Sequence, residues 1–238
     1  MKNPKVSVVM PTLNEEKYIE EALISIANQK DAPSYEIIIS DGGSHDKTLA
    51  IARKYADKIV HEPKRTCGAG RHTGMMAARG EILVSANADT YYPHNWLANL
   101  VKPFGNRKVV GVIGRVVPKD GDIIDNAFAH AVLHPAAHVL SRIKMHYVDS
   151  SNMALSRREF LRVGGFDTDM VSGEDTELIK RMKKHGEVVY APDAMAYISM
   201  RRVKKWGKVY FTYFHATNFV KTHLFRKGHG HYEPVREE

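Results

Sequence analysis

Short apolar runs alternate with stretches of helical periodicity over the first 90 residues of the chain. The runs are rich in β-branched residues, as buried strands are, and the stretches between them repeat apolar residues every three or four positions, as helices do. The predicted strands cover residues 6–10, 35–40, 59–60 and 81–86, and the predicted helices cover residues 15–29, 45–56 and 68–79. This alternation predicts a doubly wound α/β sheet with parallel strands. Asn14 is the predicted N-cap of the first helix, with Glu15 and Glu16 in its first turn.

The second half of the chain has a less regular pattern. Strands are predicted near residues 109–117, 147–154 and 188–190, and helices near residues 123–143 and 174–184. The last apolar segment, about residues 204–224, has aromatic and aliphatic residues nearly all round a helical wheel and basic residues at both ends. A helix of this kind is buried or lies at an interface.

No composition shift, repeat or linker divides the chain, so we predict one continuous domain over residues 1–205. Its two halves are expected to be residues 1–100 and residues 101–205. A C-terminal helix and basic tail, residues 206–238, are expected to follow.

Charge and cysteine content narrow the classes of partner and compartment. The 238 residues carry a net charge of +8, which favours an anionic partner such as a phosphorylated ligand, a nucleic acid or an acidic membrane surface. The single cysteine, Cys67, excludes an intrachain disulfide and a cysteine-based zinc site. Because there is neither a signal-peptide pattern nor an apolar run of about 18 residues, we expect a cytoplasmic protein, with peripheral contact on the inner membrane face as an option.

Polar residues follow the predicted strands. In doubly wound sheets, ligands bind beyond the carboxyl ends of the strands, so these residues are expected to converge on one crevice. They are Thr12, Asn14, Asp41, Gly43, Asn87 and Asp89.

Five stretches, in this order, resemble the family-2 glycosyltransferases: VSVVMPTLNEEKYIEEAL, EIIISDGGSHDKT, GAGRHTGMMAARGEILVSANADT, GGFD and GEDTEL. The resemblance implies a GT-A fold, a Rossmann-like domain with a mixed central sheet flanked by helices. It also implies a hexosyltransferase (EC 2.4) that moves a sugar from a UDP- or GDP-linked donor to a hydroxyl or phosphate acceptor with inversion. The expected partners are therefore a nucleoside-diphosphate sugar and a saccharide or lipid-phosphate acceptor, with no nucleic acid.

The resemblance makes residues 1–100 the nucleotide-binding half and residues 101–205 the acceptor and catalytic half. It assigns the strand-end residues to the donor. It places Asp41 against the base and ribose, although Asp-Gly-Gly-Ser is also good turn chemistry. Arg71 falls where family members hold base or phosphate, with Lys64 and Arg65 as alternatives. The implied donor-binding residues are Pro11, Thr12, Asn14, Glu15, Asp41, Gly43, Arg71, Asn87, Ala88 and Asp89.

The strand that ends at Ala86 delivers a single carboxylate. The family's Asp-x-Asp is Asn87-Ala88-Asp89 here, and the later histidine ligand is missing between Ala191 and Arg202. By resemblance Asp89 binds Mn²⁺ or Mg²⁺, and we expect the metal to bind with the donor diphosphate, whose oxygens complete its coordination. Catalysis by arginine and lysine without metal is the alternative.

The Glu-Asp pair, Glu174 and Asp175, matches the family's catalytic motif, with Asp175 as general base and Glu174 as its partner. An acidic first turn that complements the helix dipole is the plainer interpretation. The acceptor and diphosphate side is assigned by resemblance to Gly165, Asp167, Arg201, Arg202 and Trp206.

Three features leave alternatives open. His130, His134 and His138 share one face of a predicted helix, either as a metal site or as side chains that face solvent or the cleft. The C-terminal helix is expected to contact a membrane, the catalytic domain or a second subunit of a homodimer. A nucleotidyltransferase and a non-catalytic nucleotide-sugar-binding module are the rival functions. The stretch PTLNEE lacks the Gly-rich loop that a nucleotidyltransferase would have, and the intact Glu174-Asp175 pair argues against a non-catalytic module.

Overall fold

A computed structural model describes residues 4–129, 131, 134–142, 148–225, 228–230 and 232. One eight-stranded mixed sheet forms its centre, in the order β3-β2-β1-β4-β7-β6-β8-β5. The strands are β1 (Val6–Thr12), β2 (Tyr35–Asp41), β3 (Lys58–His61), β4 (Ile82–Ser85), β5 (Thr90–Tyr91), β6 (Val109–Pro118), β7 (Met153–Ser156) and β8 (Glu187–Ile198).

Helices cover the sheet. They are α1 (Ile19–Ala27), α2 (Thr48–Ala52), α3 (Cys67–Met76), α4 (Trp96–Val101), α5 (Ile123–Phe128), α6 (His134–Arg142), α7 (Arg157–Arg162), α8 (Glu174–Met182), α9 (Arg201–Trp206) and α10 (Lys208–Phe225). A short 3₁₀ turn, Lys102–Gly105, follows α4. The α/β class and the mixed central sheet are confirmed.

The first four strands pair in parallel, as the sequence pattern predicts. β1 lies between β2 and β4, and its alternate residues enter two different cores: Val6, Val8 and Met10 pack on one face and Val9 on the other. Both faces are therefore covered, which explains why β1 is apolar from Val6 to Met10 except at Ser7, which is also buried. The parallel pairing brings Thr12, Asp41 and the residues after β4 to the same sheet edge.

β8 is much longer than the strand predicted at residues 188–190. Its pairing with β6 shifts register between Gly114 and Arg115, so that Gly114 pairs with Ala191 but Arg115 pairs with Met195. The extra residues include Pro192, which has no N–H for the ladder and is accommodated at the bulge. Because the bulge interrupts the alternation of side chains, the sequence pattern does not predict the second half of the strand.

The predicted start of the first helix is wrong. Asn14 has a left-handed φ of 55°, and its Oδ1 accepts a hydrogen bond from the N–H of His45, 2.9 Å away. The helix begins only at Ile19, with Tyr18 at the N-cap. Glu15 and Glu16 therefore lie in a loop, where their side chains are available for other partners.

Other predicted boundaries also change. The strand predicted at residues 147–154 is β7, Met153–Ser156, and residue 147 lies outside the described residues. Within the helix predicted at residues 123–143, the structure gives α5 and α6, and residues 130, 132, 133 and 143 lie outside the described residues. In the C-terminal segment, Gly207 (φ 78°) separates α9 from α10.

No helix in the described part of the chain has the length and hydropathy needed to cross a bilayer.

Candidate active site

A crevice of about 1290 Å³ lies beyond the carboxyl ends of β1 and β4 and extends along α8, α9 and α10. The predicted residues that line it are Pro11, Thr12, Glu15, Arg65, Arg71, Asn87, Ala88, Asp89, His134, Glu174, Asp175, Arg201 and Arg202. Of the six strand-end residues expected to converge on one crevice, Thr12, Asn87 and Asp89 line it. Asn14, Asp41, Gly43, Gly165, Asp167 and Trp206 do not line the crevice.

Asp41 organises the loop after β2. Its Oδ2 accepts hydrogen bonds from the N–H groups of Gly43 and Ser44, both at 2.8 Å. Its Oδ1 accepts from the hydroxyls of Thr12 at 3.0 Å and Ser44 at 2.6 Å. Such saturation is typical of a turn-forming aspartate. Donor binding by Asp41, Asn14 and Gly43 stays a prediction, and the observed role of all three is to hold the two strand-end loops together.

Arg71 joins the donor edge of the sheet to the Glu-Asp motif. It is buried, and Nε donates to Ser85 Oγ at 3.0 Å while Nη2 donates to Asn87 Oδ1 at 2.7 Å. Nη1 lies 3.6 Å from Glu174 Oε1 and has no hydrogen-bond partner among the described residues. Asn87 thus uses its carbonyl oxygen on Arg71, and the buried Nη1 retains an unused donor in the crevice wall.

The Asp89 carboxylate forms an ion pair with the Arg201 guanidinium. Arg201 Nε lies 2.7 Å from Asp89 Oδ2, and Arg201 Nη2 lies 2.9 Å from Glu15 Oε1. The antiparallel pairing of Thr90 with Ile198 brings the residue before β5 next to the start of α9, which explains the contact. The two carboxylates raise the pKa of Arg201 above its usual value against an opposing effect of burial, so the guanidinium stays charged.

Glu174 and Asp175 are the first two residues of α8 and directly follow a glycine in the left-handed conformation. Gly173 has a φ of 76°, in the region that favours glycine, and a Cβ at this position would lie 2.4 Å from Thr222 Oγ1 of α10. Glu174 is buried, and Asp175 Oδ1 accepts from the N–H of Thr176 at 2.6 Å. Gly173 therefore permits both the turn into α8 and its close contact with α10.

Desolvation controls the charge of both carboxyl groups. Burial raises the pKa of Glu174, against the attraction of Arg71. Burial, and next the negative charge of Glu174, raise the pKa of Asp175 to about 7. A carboxyl group with a pKa near neutrality exchanges protons readily at physiological pH, as a general base must.

Comparison with known proteins identifies the family. Residues 7–164 match Glycosyl transferase family 2. The chain belongs to this family. The match ends before Glu174, so the residues of α8 and α9 are assigned from geometry and motif alone.

The relatives of this family-2 chain include two archaeal enzymes. It is 27% identical over 251 residues to the Methanococcus voltae dolichyl N-acetyl-alpha-D-glucosaminyl phosphate 3-beta-D-2,3-diacetamido-2,3-dideoxy-beta-D-glucuronosyltransferase, covering 94% of this chain and 75% of that protein. It is 26% identical over 217 residues to the Pyrococcus furiosus dolichol-phosphate mannosyltransferase, covering 88% of this chain and 61% of that protein. The chain thus spans only part of either relative.

Solved structures share the GT-A fold. Mannosyltransferase PcManGT from Pyrobaculum calidifontis, in complex with GDP-Man and Mn²⁺, superposes with a TM-score of 0.71 at 25% identity, covering 96% of this chain and 66% of that one. Glucosyl-3-phosphoglycerate synthase from Mycobacterium tuberculosis, with Mn²⁺, UDP and its product, has a TM-score of 0.64 at 20% identity, covering 94% and 80%. The second likeness supports the fold alone.

A divalent ion of the kind held by PcManGT finds few ligands in this family-2 chain. The described residues contain no group of three or more histidine, cysteine, aspartate or glutamate side chains placed to hold a metal. Asp89 and Glu15 nevertheless already share a cation, the Arg201 guanidinium. Hard divalent ions are commonly held by one or two carboxylates together with substrate phosphates, so these oxygen donors fit such an ion.

Only some of the residues predicted for the acceptor side line the crevice. Gly165 packs against His72, and its carbonyl accepts from Arg181, while Asp167 is exposed. Trp206 packs against Phe214, with ring centroids 5.3 Å apart. Arg202 does line the crevice. An acceptor role for Gly165, Asp167 and Trp206 stays a prediction that their present positions do not favour.

The two histidines of this group that the structure describes, His134 and His138, contact different groups. His134 Nε2 lies 2.9 Å from the carbonyl oxygen of Val116, and His138 meets Tyr190 edge to face, so each has its own partner. His130 lies outside the described residues.

Sequence reasoning did not find two crevice residues, Asp149 and Tyr232, or Tyr92, which lies outside the crevice lining and supports the strand end. Asp149 precedes β7 and accepts from the N–H and hydroxyl of Ser151. Tyr92 Oη accepts from the N–H of Asn87 at 2.8 Å and donates to the carbonyl oxygen of Ser151, which fixes the strand end. Tyr232 lines the crevice with the Arg202 guanidinium 4.1 Å from its ring centroid. Only the Asp-Ser-Ser-Asn run at residues 149–152 carried a signal, as four polar residues within the strand predicted at residues 147–154.

Proposed function

We infer that the protein transfers a glycosyl group from a UDP- or GDP-linked sugar to an acceptor hydroxyl or phosphate, with inversion at the anomeric carbon. The observation that carries this proposal is the placement of Asp175 and Asp89 in the walls of one crevice of a family-2 chain. The donor complexes of PcManGT with GDP-Man and of Staphylococcus aureus TarS with UDP-GlcNAc support the donor class.

Asp175 is the proposed general base. Its carboxylate takes the proton of an acceptor hydroxyl as that oxygen attacks the anomeric carbon, and the bond to the donor oxygen breaks with its electron pair leaving on the diphosphate. The negative charge of Glu174 favours protonation of Asp175 and so makes it a stronger base. Arg71 restrains the orientation of Glu174 from the donor side.

Arg71 is the proposed link to the departing diphosphate. Its buried Nη1 has no hydrogen-bond partner among the described residues, and buried polar atoms are rarely left so. A phosphate oxygen in the crevice would satisfy this donor with a charge-assisted hydrogen bond. Arg202, which also lines the crevice, is a second candidate for the diphosphate or the acceptor.

A divalent metal, Mn²⁺ or Mg²⁺, would be held by Asp89, with Glu15 as a second carboxylate and the donor diphosphate supplying further oxygens. Such an ion stabilises the negative charge that develops on the leaving diphosphate. Since Arg201 occupies both carboxylates, the guanidinium has to leave Asp89 before that position is available. Freed from Asp89, Arg201 remains close enough to the crevice to neutralise phosphate.

A thermal-shift panel of nucleoside diphosphates, with and without Mn²⁺, tests the donor site. Binding to the folded state alone raises the melting temperature, by an amount that grows with ligand concentration over Kd. We expect UDP or GDP to stabilise the protein and Mn²⁺ to increase the effect. The proposal is wrong if no nucleotide changes the melting temperature at millimolar concentration.

A further inference from the structure

One carboxylate of the crevice has no part in the glycosyl transfer proposed above. Asp149 lies in the loop before β7 and lines the crevice. Its Oδ1 accepts hydrogen bonds from the N–H of Ser151 at 2.9 Å and from the hydroxyl of Ser151 at 2.6 Å. Its Oδ2 accepts no hydrogen bond from the described residues and is not buried. This oxygen is therefore available to a ligand in the crevice.

Asp149 also differs from other carboxylates of the crevice in its charge balance. Asp89 is paired with Arg201 at 2.7 Å, and Asp125 is paired with Lys208 at 2.8 Å. Over the part of the chain that the structure describes, no lysine, arginine or histidine forms an ion pair with Asp149. A half-buried carboxylate without a cation is best satisfied by hydrogen-bond donors of a ligand.

The loop that carries Asp149 is held in place by the strands beside it. The carbonyl oxygen of Ser150 accepts a hydrogen bond from the Ser85 hydroxyl at 2.5 Å. The carbonyl oxygen of Ser151 accepts one from Tyr92 Oη at 3.0 Å. The Asp149 carboxylate is thus fixed before a ligand arrives, which reduces the ordering cost of binding.

Asp149 lies between the residues proposed for the diphosphate and for the base. Arg71 Nε donates to Ser85 Oγ at 3.0 Å, and Ser85 in turn donates to the loop that carries Asp149. Burial and the charge of Glu174 are the main effects that raise the pKa of Asp175, and the charge of Asp149 adds to them. The same carboxylate interacts electrostatically with Arg71. Both sides of the reaction centre are therefore within its reach.

The transferred sugar has to occupy the space between the diphosphate and the base. In an inverting transfer, the anomeric carbon is bonded to the diphosphate on one side and is attacked by the acceptor oxygen on the other. A carboxylate oxygen beside the sugar accepts hydrogen bonds from its hydroxyls, and these are stronger than those of a neutral acceptor. A sugar that carries its own carboxylate would instead meet an unneutralised negative charge, which is an unfavourable contact.

We propose that Asp149 determines the class of sugar that is transferred. Its Oδ2 accepts hydrogen bonds from the hydroxyls of a neutral sugar, and its negative charge disfavours a uronic acid in the same position. This inference rests on the proposed glycosyl transfer and adds the sugar class, which the nucleotide-binding residues do not specify. Asp149 binds the sugar and exchanges no proton in the reaction.

Isothermal titration of the wild type and of Asp149→Asn tests this assignment. The asparagine carbonyl still accepts both hydrogen bonds from Ser151, so the loop keeps its shape while the charge is lost. The probes are UDP, UDP-glucose and UDP-glucuronate, and the matching series of GDP, GDP-mannose and GDP-mannuronate. The affinity of each sugar nucleotide is divided by that of its own nucleoside diphosphate, which removes any change in diphosphate binding. We expect the wild type to bind the neutral sugar nucleotide about tenfold or more tightly than the uronate, as one charge-assisted hydrogen bond implies.

Asp149→Asn is expected to change the two relative affinities in opposite directions. The value for the neutral sugar nucleotide should fall by about threefold or more, and the value for the uronate should rise by about as much, because a neutral acceptor replaces a charged one. A loop that had only lost its shape would weaken both. Asp125→Asn removes the same charge from the crevice wall, at a carboxylate that Lys208 already neutralises, and should leave both ratios as in the wild type.

Two results would overturn the assignment of Asp149. One is a wild type that binds the uronate as tightly as the neutral sugar nucleotide, or more tightly. The other is a pair of relative affinities that Asp149→Asn shifts together or leaves unchanged. Either result leaves the proposed donor site in place as long as UDP or GDP still binds. If neither nucleoside diphosphate binds, the proposed donor site and the sugar selection are both wrong.

Discussion

At the scale of single residues, the carboxylates of the site differ in how far hydrogen bonds and cations offset their negative charge. Asp41 is saturated by its own loop, and Asp89 is neutralised by Arg201. Asp175 is the contrasting case, because its strongest neighbouring influences, burial and Glu174, both oppose ionisation. Of these three carboxyl groups, Asp175 has the least compensation, and it is the one proposed for proton transfer.

Asp175 should therefore produce a pH dependence in both activity and stability. Its folded-state pKa of about 7 lies above the ordinary 3.8, so between these values the folded protein binds more protons than the unfolded chain, and stability falls as pH rises. Asp175→Asn is expected to raise the melting temperature at pH 8 relative to wild type, and to leave a smaller difference at pH 4. Turnover should fall by about 10²–10⁴-fold, with nucleotide affinity unchanged.

For the wild type we expect kcat/KM to decline as pH falls below about 7, where Asp175 takes up its proton. Asp193→Asn, at an exposed position of β8 outside the crevice, is the control and should keep the wild-type profile. Retained turnover in Asp175→Asn would exclude this residue as the base.

Arg201 should oppose metal binding in the absence of nucleotide. Arg201→Gln removes the cation from Asp89 and Glu15 and is expected to strengthen Mn²⁺ binding by about tenfold, which corresponds to about 1.4 kcal/mol. Free Mn²⁺ measured by electron paramagnetic resonance gives the affinity directly. Lys204→Gln makes the same charge change on α9 but removes a partner of Asp120, and should have no effect. Equal affinities for Arg201→Gln and wild type would contradict the competition.

At the scale of elements, the predictable parts are those whose signal is local. β1, β2 and β4 are predicted correctly because each is a mainly apolar run bounded by turn residues, although Ser7 and Glu36 lie within the first two. The second half of β8 escaped prediction because Pro192 interrupts the run and only pairing with β6 restores the strand. For the same reason the Glu-Asp motif could be placed at the start of a helix, whereas the ion pair between Asp89 and Arg201 could not be foreseen, since it joins residues 112 positions apart.

The turn into α8 should tolerate no side chain at Gly173. Gly173→Ala combines a left-handed φ with a Cβ 2.4 Å from Thr222 Oγ1, so we expect a loss of about 2–3 kcal/mol in the free energy of unfolding and a lower kcat through displacement of Asp175. Gly207→Ala has the same kind of φ but open space and should cost only about 1 kcal/mol. Gly105→Ala has neither problem and should be near neutral. Urea denaturation gives the free energy of unfolding of each of the three variants. An equal loss for Gly173→Ala and Gly207→Ala would show that the contact with Thr222 is unimportant.

At the scale of the whole molecule, the crevice is a junction between the predicted halves. Arg71 reaches from α3 to Glu174 of α8, and Arg201 reaches from α9 back to Asp89 and Glu15. The proposed donor site thus depends on residues beyond 100, and the proposed general base depends on an arginine before it. These contacts explain why the chain shows no linker near residue 100.

The Glu15–Arg201 pair should measure the strength of that junction. Both side chains are largely buried, at 14% and 16% exposure, so solvent screens them little. A double-mutant cycle with Glu15→Gln and Arg201→Gln, followed by urea denaturation in the presence of EDTA, is expected to give a coupling energy of about 1–2 kcal/mol. The Glu20–Lys54 pair joins α1 to the end of α2 at 47% and 61% exposure, and its cycle should give no more than about 0.5 kcal/mol. If the two cycles give the same value, Arg201 contributes to the crevice as an ordinary surface charge, and the stability of the molecule does not depend on the contact between its halves at Glu15.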